Sequence, residues 1–136
     1  MAYLLMIDDN PQTQKYLGRI IRLRTRHRLG FASSAAAAVE AIATKRPDLV
    51  FLDLYIPGMD GIELFKTLRG HPATQTIPVV FHTAVPLDPV ARMRLDRLSF
   101  EGFVEFPIEA SALGQLIESA LELGRAQVRR WEPPPA

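Results

Sequence analysis

Three aspartates and a threonine stand where short apolar runs stop. Asp8-Asp9 follow Tyr3–Ile7, Asp53 lies in the run Asp48–Leu54, and Thr83-Ala84 close Pro78–Thr83. A further run, Gly102–Phe106, ends at Phe106-Pro107. Carboxylates brought close together repel unless a cation neutralises them. An all-oxygen donor set favours a hard cation, and Mg²⁺ in particular is held by one or two carboxylates with waters and a substrate phosphate completing its shell. The competing explanation is a solvated acidic rim, because aspartate is common at strand ends and helix caps. For the Asp8-Asp9 pair alone that explanation is the better one. With Asp53 and Thr83 at neighbouring strand ends, a binding site becomes the better one.

Those residues converge only if the intervening chain makes the runs parallel. Tyr3–Ile7 reads as a buried strand. From Pro11, Leu17, Ile20 and Ile21 recur at helical spacing, with proline favourably placed at the helix start and Gly30 closing the unit. Leu29–Ser33 is a weak second strand. Ser33 or Ser34 caps an alanine-rich helix with Ala35, Val39, Ile42 and Ala43 as its inner face, and Pro47 stops it. Asp48–Leu54 carries Leu-Val-Phe-Leu, a continuous apolar run suited to a strand covered on both faces. Pro57-Gly58 turns the chain into a helix with Gly61, Leu64, Phe65 and Leu68 on one stripe, ending at Gly70. A helix over Asp88–Leu98 has the least regular face (Val90, Met93, Leu98). Leu113, Leu116, Ile117, Ala120 and Leu121 mark the closing helix. Five strands alternating with five helices imply an α/β fold with a parallel sheet covered on both faces. Ligands of such sheets bind beyond the carboxyl ends of the strands, where the aspartates fall.

The composition fits one domain over residues 1–124, followed by a charged, proline-rich tail over residues 125–136 that should fray. A chain of 136 residues can bury a core without staples. Its formal net charge of +1 makes no case for a polyanionic partner, and the absence of cysteine excludes disulfides and thiolate metal sites. No apolar stretch approaches the roughly 20 residues of a membrane span, which points to a cytoplasmic protein without membrane insertion.

Asp8-Asp9, Asp53, the run Pro57-Gly58-Met59-Asp60-Gly61, Thr83-Ala84 and Pro107 resemble, in order and spacing, the receiver domains of two-component response regulators, over about residues 3–122. The resemblance implies a flavodoxin-like, doubly wound five-stranded sheet of order 2-1-3-4-5. It implies Mg²⁺ held by Asp9, Asp53 and the Tyr55 backbone carbonyl, with Asp8 acting through water. Asp53 is then the phosphoacceptor, attacking a phosphohistidine of a histidine kinase or phosphotransfer protein. Thr83 and Ala84 bind the phosphoryl group, and Thr83 with Phe103 forms the switch that reports to a downstream protein target. The domain is then a signalling module rather than a conventional enzyme. An aspartyl-nucleophile hydrolase would need an acid where Tyr55 stands.

One position departs from the family. Phe106 stands where its members carry a lysine beside the cis-prone proline, and neither Lys15, Lys45 nor Lys66 obviously replaces it. The departure leaves open a phosphorylation-independent pseudo-receiver that only binds partners. His82, next to Thr83 on a strand, should face the other way and pack against a helix layer, away from the pocket. Arg19, Arg22, Arg24, Arg26 and Arg28 scatter around a helix with no interleaved aromatics, which argues for a solvated or protein-facing surface and against direct nucleic-acid binding. Trp131 falls in the tail.

Overall fold

The computed structural model describes residues 1–130, with side chains through residue 126. Its elements are β1 (Tyr3–Ile7), α1 (Pro11–Arg24), β2 (Arg28–Ala32), α2 (Ala35–Thr44), β3 (Leu49–Asp53), β4 (Tyr55–Ile56), β5 (Met59–Asp60), α3 (Gly61–Arg69), β6 (Val79–Thr83), α4 (Pro89–Asp96), β7 (Gly102–Glu105) and α5 (Ala110–Arg130). The main sheet is parallel throughout, in the order β2-β1-β3-β6-β7. This is the predicted 2-1-3-4-5 order once the small β4–β5 hairpin is set aside. The sequence expectation missed that hairpin. It turns at Gly58, whose φ of 84° suits glycine.

Alternation along the strands divides the core into two layers. Leu5, Ile7, Val50, Leu52, Val79 and Phe81 pack toward α2, α3 and Leu95 of α4. Leu4, Met6, Leu49, Phe51, Val80 and Val104 pack toward α1 and α5. Every residue from Leu49 to Leu52 is buried, which explains why β3 reads as a continuous apolar run.

Helices α1 to α4 each start at a residue whose side chain meets open amides of the first turn. The side chains of Asn10, Ser34, Asp60 and Asp88 accept from Gln12, Ala37, Ile62 and Ala91 N–H groups respectively. Two predicted helix faces need correction. α2 buries Ala35, Ala38 and Ile42 and leaves Val39 52% exposed, because alanines at every early position gave no stripe to choose from. α4 packs through Leu95, with Leu87 and Leu98 flanking, and leaves Val90 and Met93 exposed. The closing helix crosses the expected boundary after residue 124 and continues to Arg130. Trp131 and the prolines of the tail lie outside the described residues.

α3 begins hard against the end of β3. A Cβ on Gly61 would collide with the Asp53 carbonyl oxygen and crowd the Leu54 Cα, so glycine here lets the two chains approach. The cis peptide Phe106–Pro107 redirects the chain from β7 toward α5.

Candidate functional site

The carboxyl ends of β1, β3 and β6 adjoin because β1 and β6 flank β3. Asp53 is the ladder partner of His82, and Ile7 is the partner of Leu52. Asp8, one residue past Ile7, therefore emerges on the same face as Asp53 and His82, the side of α1 and α5. One donor atom each from Asp8, Asp53 and His82 lies within 4.8 Å of the others.

Asp8 is buried, and both of its carboxylate oxygens are engaged. Oδ1 accepts the Asn10 N–H at 2.7 Å, and Oδ2 lies 2.8 Å from His82 Nε2. Asp53 is half-buried, and its Oδ1 accepts the Tyr55 N–H at 3.1 Å. Burial raises the Asp53 pKa from its ordinary 3.8 to about 6; the Tyr55 N–H and His82 oppose that rise, and Asp8 and Asp9 add to it. Burial penalises the charged carboxylate here more than its one hydrogen bond compensates. Asp9 is exposed and stands outside the three-residue group.

The donor set fits a hard divalent cation. Asp8 and Asp53 offer carboxylate oxygens at one rim, and the upward shift at Asp53 marks negative charge that its surroundings leave under-compensated. Exposed Asp9, and the Tyr55 carbonyl two residues past Asp53, are further oxygens along these chain segments.

The other predicted positions are distributed around this group. Thr83 is buried, and its hydroxyl donates to the Val85 carbonyl at 3.0 Å and accepts the Val85 N–H at 3.1 Å. It is thus bound to its own loop rather than to an aspartate. Ala84 is exposed beside it, and Phe103 is half-buried against the α3/α4 layer. Phe106 turns toward the α1/α5 layer, 5.4 Å from the Tyr16 ring, edge-on at 81°, and 5.3 Å from the His82 ring.

His82 corrects the sequence expectation. It is packed in a helix layer, as anticipated, but that layer is also the one from which the acids project. Neighbours along a strand do alternate, and His82 and Thr83 do face opposite sides. The error was in assigning the pocket to the parity of Thr83. The signal that could have found it is the ladder register with Asp53, which unbroken apolar runs such as Leu49–Leu52 do not reveal. Arg94 binds Asp60 Oδ2 at 2.7 Å and Glu63 at 3.6 Å, which ties α4 to the start of α3.

The fold has known counterparts. A model of the response regulator receiver domain matches residues 4–118, and the chain belongs to that family of two-component signalling domains. It is 33% identical over 133 residues to the transcriptional regulatory protein GlrR of Escherichia coli K12, covering 96% of this chain and 29% of GlrR. The chain thus spans less than a third of that relative. The signal receiver domain of a histidine kinase from Syntrophus aciditrophicus superposes with a TM-score of 0.81 at 26% identity, covering 100% of this chain and 98% of that one. The receiver domain of sensor histidine kinase PA1611 from Pseudomonas aeruginosa PAO1 shares the fold at a TM-score of 0.78 and 19% identity, covering 89% and 98%. That structure carries a magnesium ion coordinated in its active site cleft. Phosphorylation and Mg²⁺ binding are typical of the family. No helix among the described residues is long and apolar enough to cross a membrane.

Proposed function

We propose that Asp53 accepts a phosphoryl group from a histidine kinase or phosphotransfer protein in the cytoplasm, and that the phosphorylated domain signals by binding another protein. The observation that supports this most is the approach of the Asp8 and Asp53 carboxylate oxygens to within 4.8 Å of each other at the sheet's carboxyl rim. Asp53 Oδ1 holds the Tyr55 N–H, so the other oxygen attacks phosphorus. The P–O bond to Asp53 forms as the donor's P–N bond breaks, and the departing imidazole takes up a proton. Asp9, Asp53 and the Tyr55 carbonyl would hold the Mg²⁺, and Asp8 would act through water; an ion held there would supply positive charge against the acids and the transferring group. Ala84 leaves room for the phosphoryl group. Thr83 serves it only after releasing the Val85 carbonyl, and that exchange, with Phe103 behind it, is the switch. The exposed apolar side chains of Val85, Val90 and Met93 offer a surface on and before α4 for a protein target.

The test is the intact mass of the protein after incubation with acetyl phosphate and Mg²⁺. One added phosphoryl group in wild type and none in Asp53→Asn supports the proposal; an unmodified wild type that still binds Mg²⁺ refutes it. The second reading, a pseudo-receiver that binds partners without phosphorylation, draws on Phe106, whose ring packs against Tyr16 and His82 and brings no charge to the pocket.

A further inference from the structure

We propose that His82 is a positioning residue of the acid pocket, its Nε2–H holding Asp8 in place, with Phe106 serving as the packing roof that fixes the imidazole. The inference rests on the reading that this pocket binds a divalent cation and phosphorylates at Asp53.

His82 is fully buried, and its Nε2 lies 2.8 Å from Asp8 Oδ2. Its Nδ1 is buried with no hydrogen-bond partner among the described residues. The two neutral tautomers therefore differ sharply. With the proton on Nε2, the ring donates to the carboxylate and leaves Nδ1 as a bare lone pair among aromatic rings. With the proton on Nδ1, a buried donor has no acceptor, and two lone pairs face each other at Nε2 and Oδ2. An unmet buried donor carries its full desolvation cost, so the first tautomer is selected and His82 donates. The same reasoning sets His82 apart from a metal ligand, because a ligating imidazole ordinarily donates its second N–H to a partner, and Nδ1 has none.

The imidazole is held from two sides. Phe106 lies 5.3 Å away with its plane tilted by 49°, and Phe51 lies 6.5 Å away at 63°. Phe106 is braced in turn by Tyr16, whose hydroxyl donates to the Ile108 carbonyl at 2.7 Å and accepts the Ile108 N–H at 3.0 Å. A line of contacts thus runs from Ile108, in the turn before α5, through Tyr16, Phe106 and His82 to Asp8. Asp8 receives one donor on each oxygen, from His82 and from Asn10, and keeps its remaining lone pairs for an ion's water shell. The residue that departs from the family, Phe106, and the buried histidine beneath it are parts of one device.

Wild type, His82→Gln and His82→Leu are compared by calorimetric titration with Mg²⁺ and by intact mass after acetyl phosphate. Glutamine keeps a side-chain N–H at similar reach; leucine keeps apolar volume without a donor. Loss of a partner behind a metal site costs about 10–100-fold in affinity, so His82→Leu is expected to weaken Mg²⁺ by that factor and to slow phosphorylation, while His82→Gln restores most of both. Leucine and wild type binding Mg²⁺ alike would overturn the inference, as would equal weakening in glutamine and leucine, which would leave His82 a packing role only. If His82→Leu does not fold, the wild-type imidazole decides through its long-range ¹H–¹⁵N spectrum. A proton on Nε2 sustains the inference. A ring with Nε2 unprotonated overturns it, and so does a ¹⁵N hyperfine coupling to bound Mn²⁺, which would make the ring a ligand. A wild type that neither binds Mg²⁺ nor accepts phosphate defeats instead the reading on which the inference stands.

Discussion

Without metal, Asp53→Asn should make the domain more stable at neutral pH, although it removes the proposed reactive group. Burial raises the Asp53 pKa from 3.8 to about 6, so the folded state binds this proton more tightly than the unfolded chain does. Stability is then greatest below the unfolded pKa and falls as pH rises through about 4 to 6, where the folded carboxyl must ionise in a site that resists it. A shift of about two units is worth at most roughly 3 kcal/mol. Asp53 is only half-buried, and solvent screening reduces the net effect to about 1–2 kcal/mol. Asparagine carries no charge and escapes the penalty. In EDTA at pH 7.5, Asp53→Asn should therefore melt roughly 3–8 °C above wild type, and the gap should close near pH 4. Saturating Mg²⁺ should narrow the gap from the other side, by stabilising wild type. Paired thermal melts by circular dichroism at several pH values make the measurement. Equal melting temperatures at pH 7.5, or a gap that does not change between pH 4 and 7.5, would show that the Asp53 carboxylate bears no burial penalty.

Mg²⁺ at a hundredfold excess over its dissociation constant should stabilise wild type by about 2.7 kcal/mol. The shift should be lost in Asp9→Ala, and equal shifts in the two proteins would remove Asp9 from the proposed ligands. Glu101 binds Arg69 at 2.7 Å and accepts the Val79 N–H at 2.7 Å, so Glu101→Ala should cost about 2–3 kcal/mol in urea unfolding, as expected when charge-assisted hydrogen bonds to a partly buried arginine and a strand amide are removed. Phe106→Lys should speed phosphorylation of Asp53 by acetyl phosphate, because an ammonium offsets the roughly two negative charges of the incoming group. It should also cost roughly 1–2 kcal/mol through the lost ring contacts with Tyr16 and His82. Rates by mass spectrometry and melts on the same samples separate the two effects.

What the sequence made legible follows from where its signals are local. Runs such as Tyr3–Ile7 and the proline, glycine and Asx punctuation between them fix element type, and alternation of strand and helix fixes a parallel sheet. Asp8, Asp9, Asp53 and Thr83 could be placed at strand ends because each is a polar residue closing an apolar run. Less was legible where the signal was uniform. Ala35–Ala38 gave α2 no preferred face, so Ala38 rather than Val39 turned inward. The tetrad Leu49–Leu52 is apolar on both faces and conceals register, so the pairing of Asp53 with His82 became visible only in three dimensions. The β4–β5 hairpin, two residues on each side, is too short to show any period.

The two inner acids of the pocket are buried on unequal terms, and this inequality supports their different proposed roles. Asp8 lies deeper yet has a donor on each oxygen, one from the backbone at Asn10 and one from His82. Asp53 is nearer to water but holds a single N–H and carries the burial penalty. A doubly bonded carboxylate would have to break contacts before attacking anything, whereas one with an oxygen uncommitted and its charge under-compensated gains most from a cation and a new covalent partner. Strand parity produces this contrast. Because His82 shares the face of the acids, it can satisfy Asp8. Because Thr83 takes the opposite face, its hydroxyl is bonded to Val85 and not to Asp53. A histidine moved one residue along β6 would face the other helix layer and leave the buried Asp8 carboxylate with the Asn10 N–H alone, so the parity of position 82 is what lets an imidazole serve the pocket.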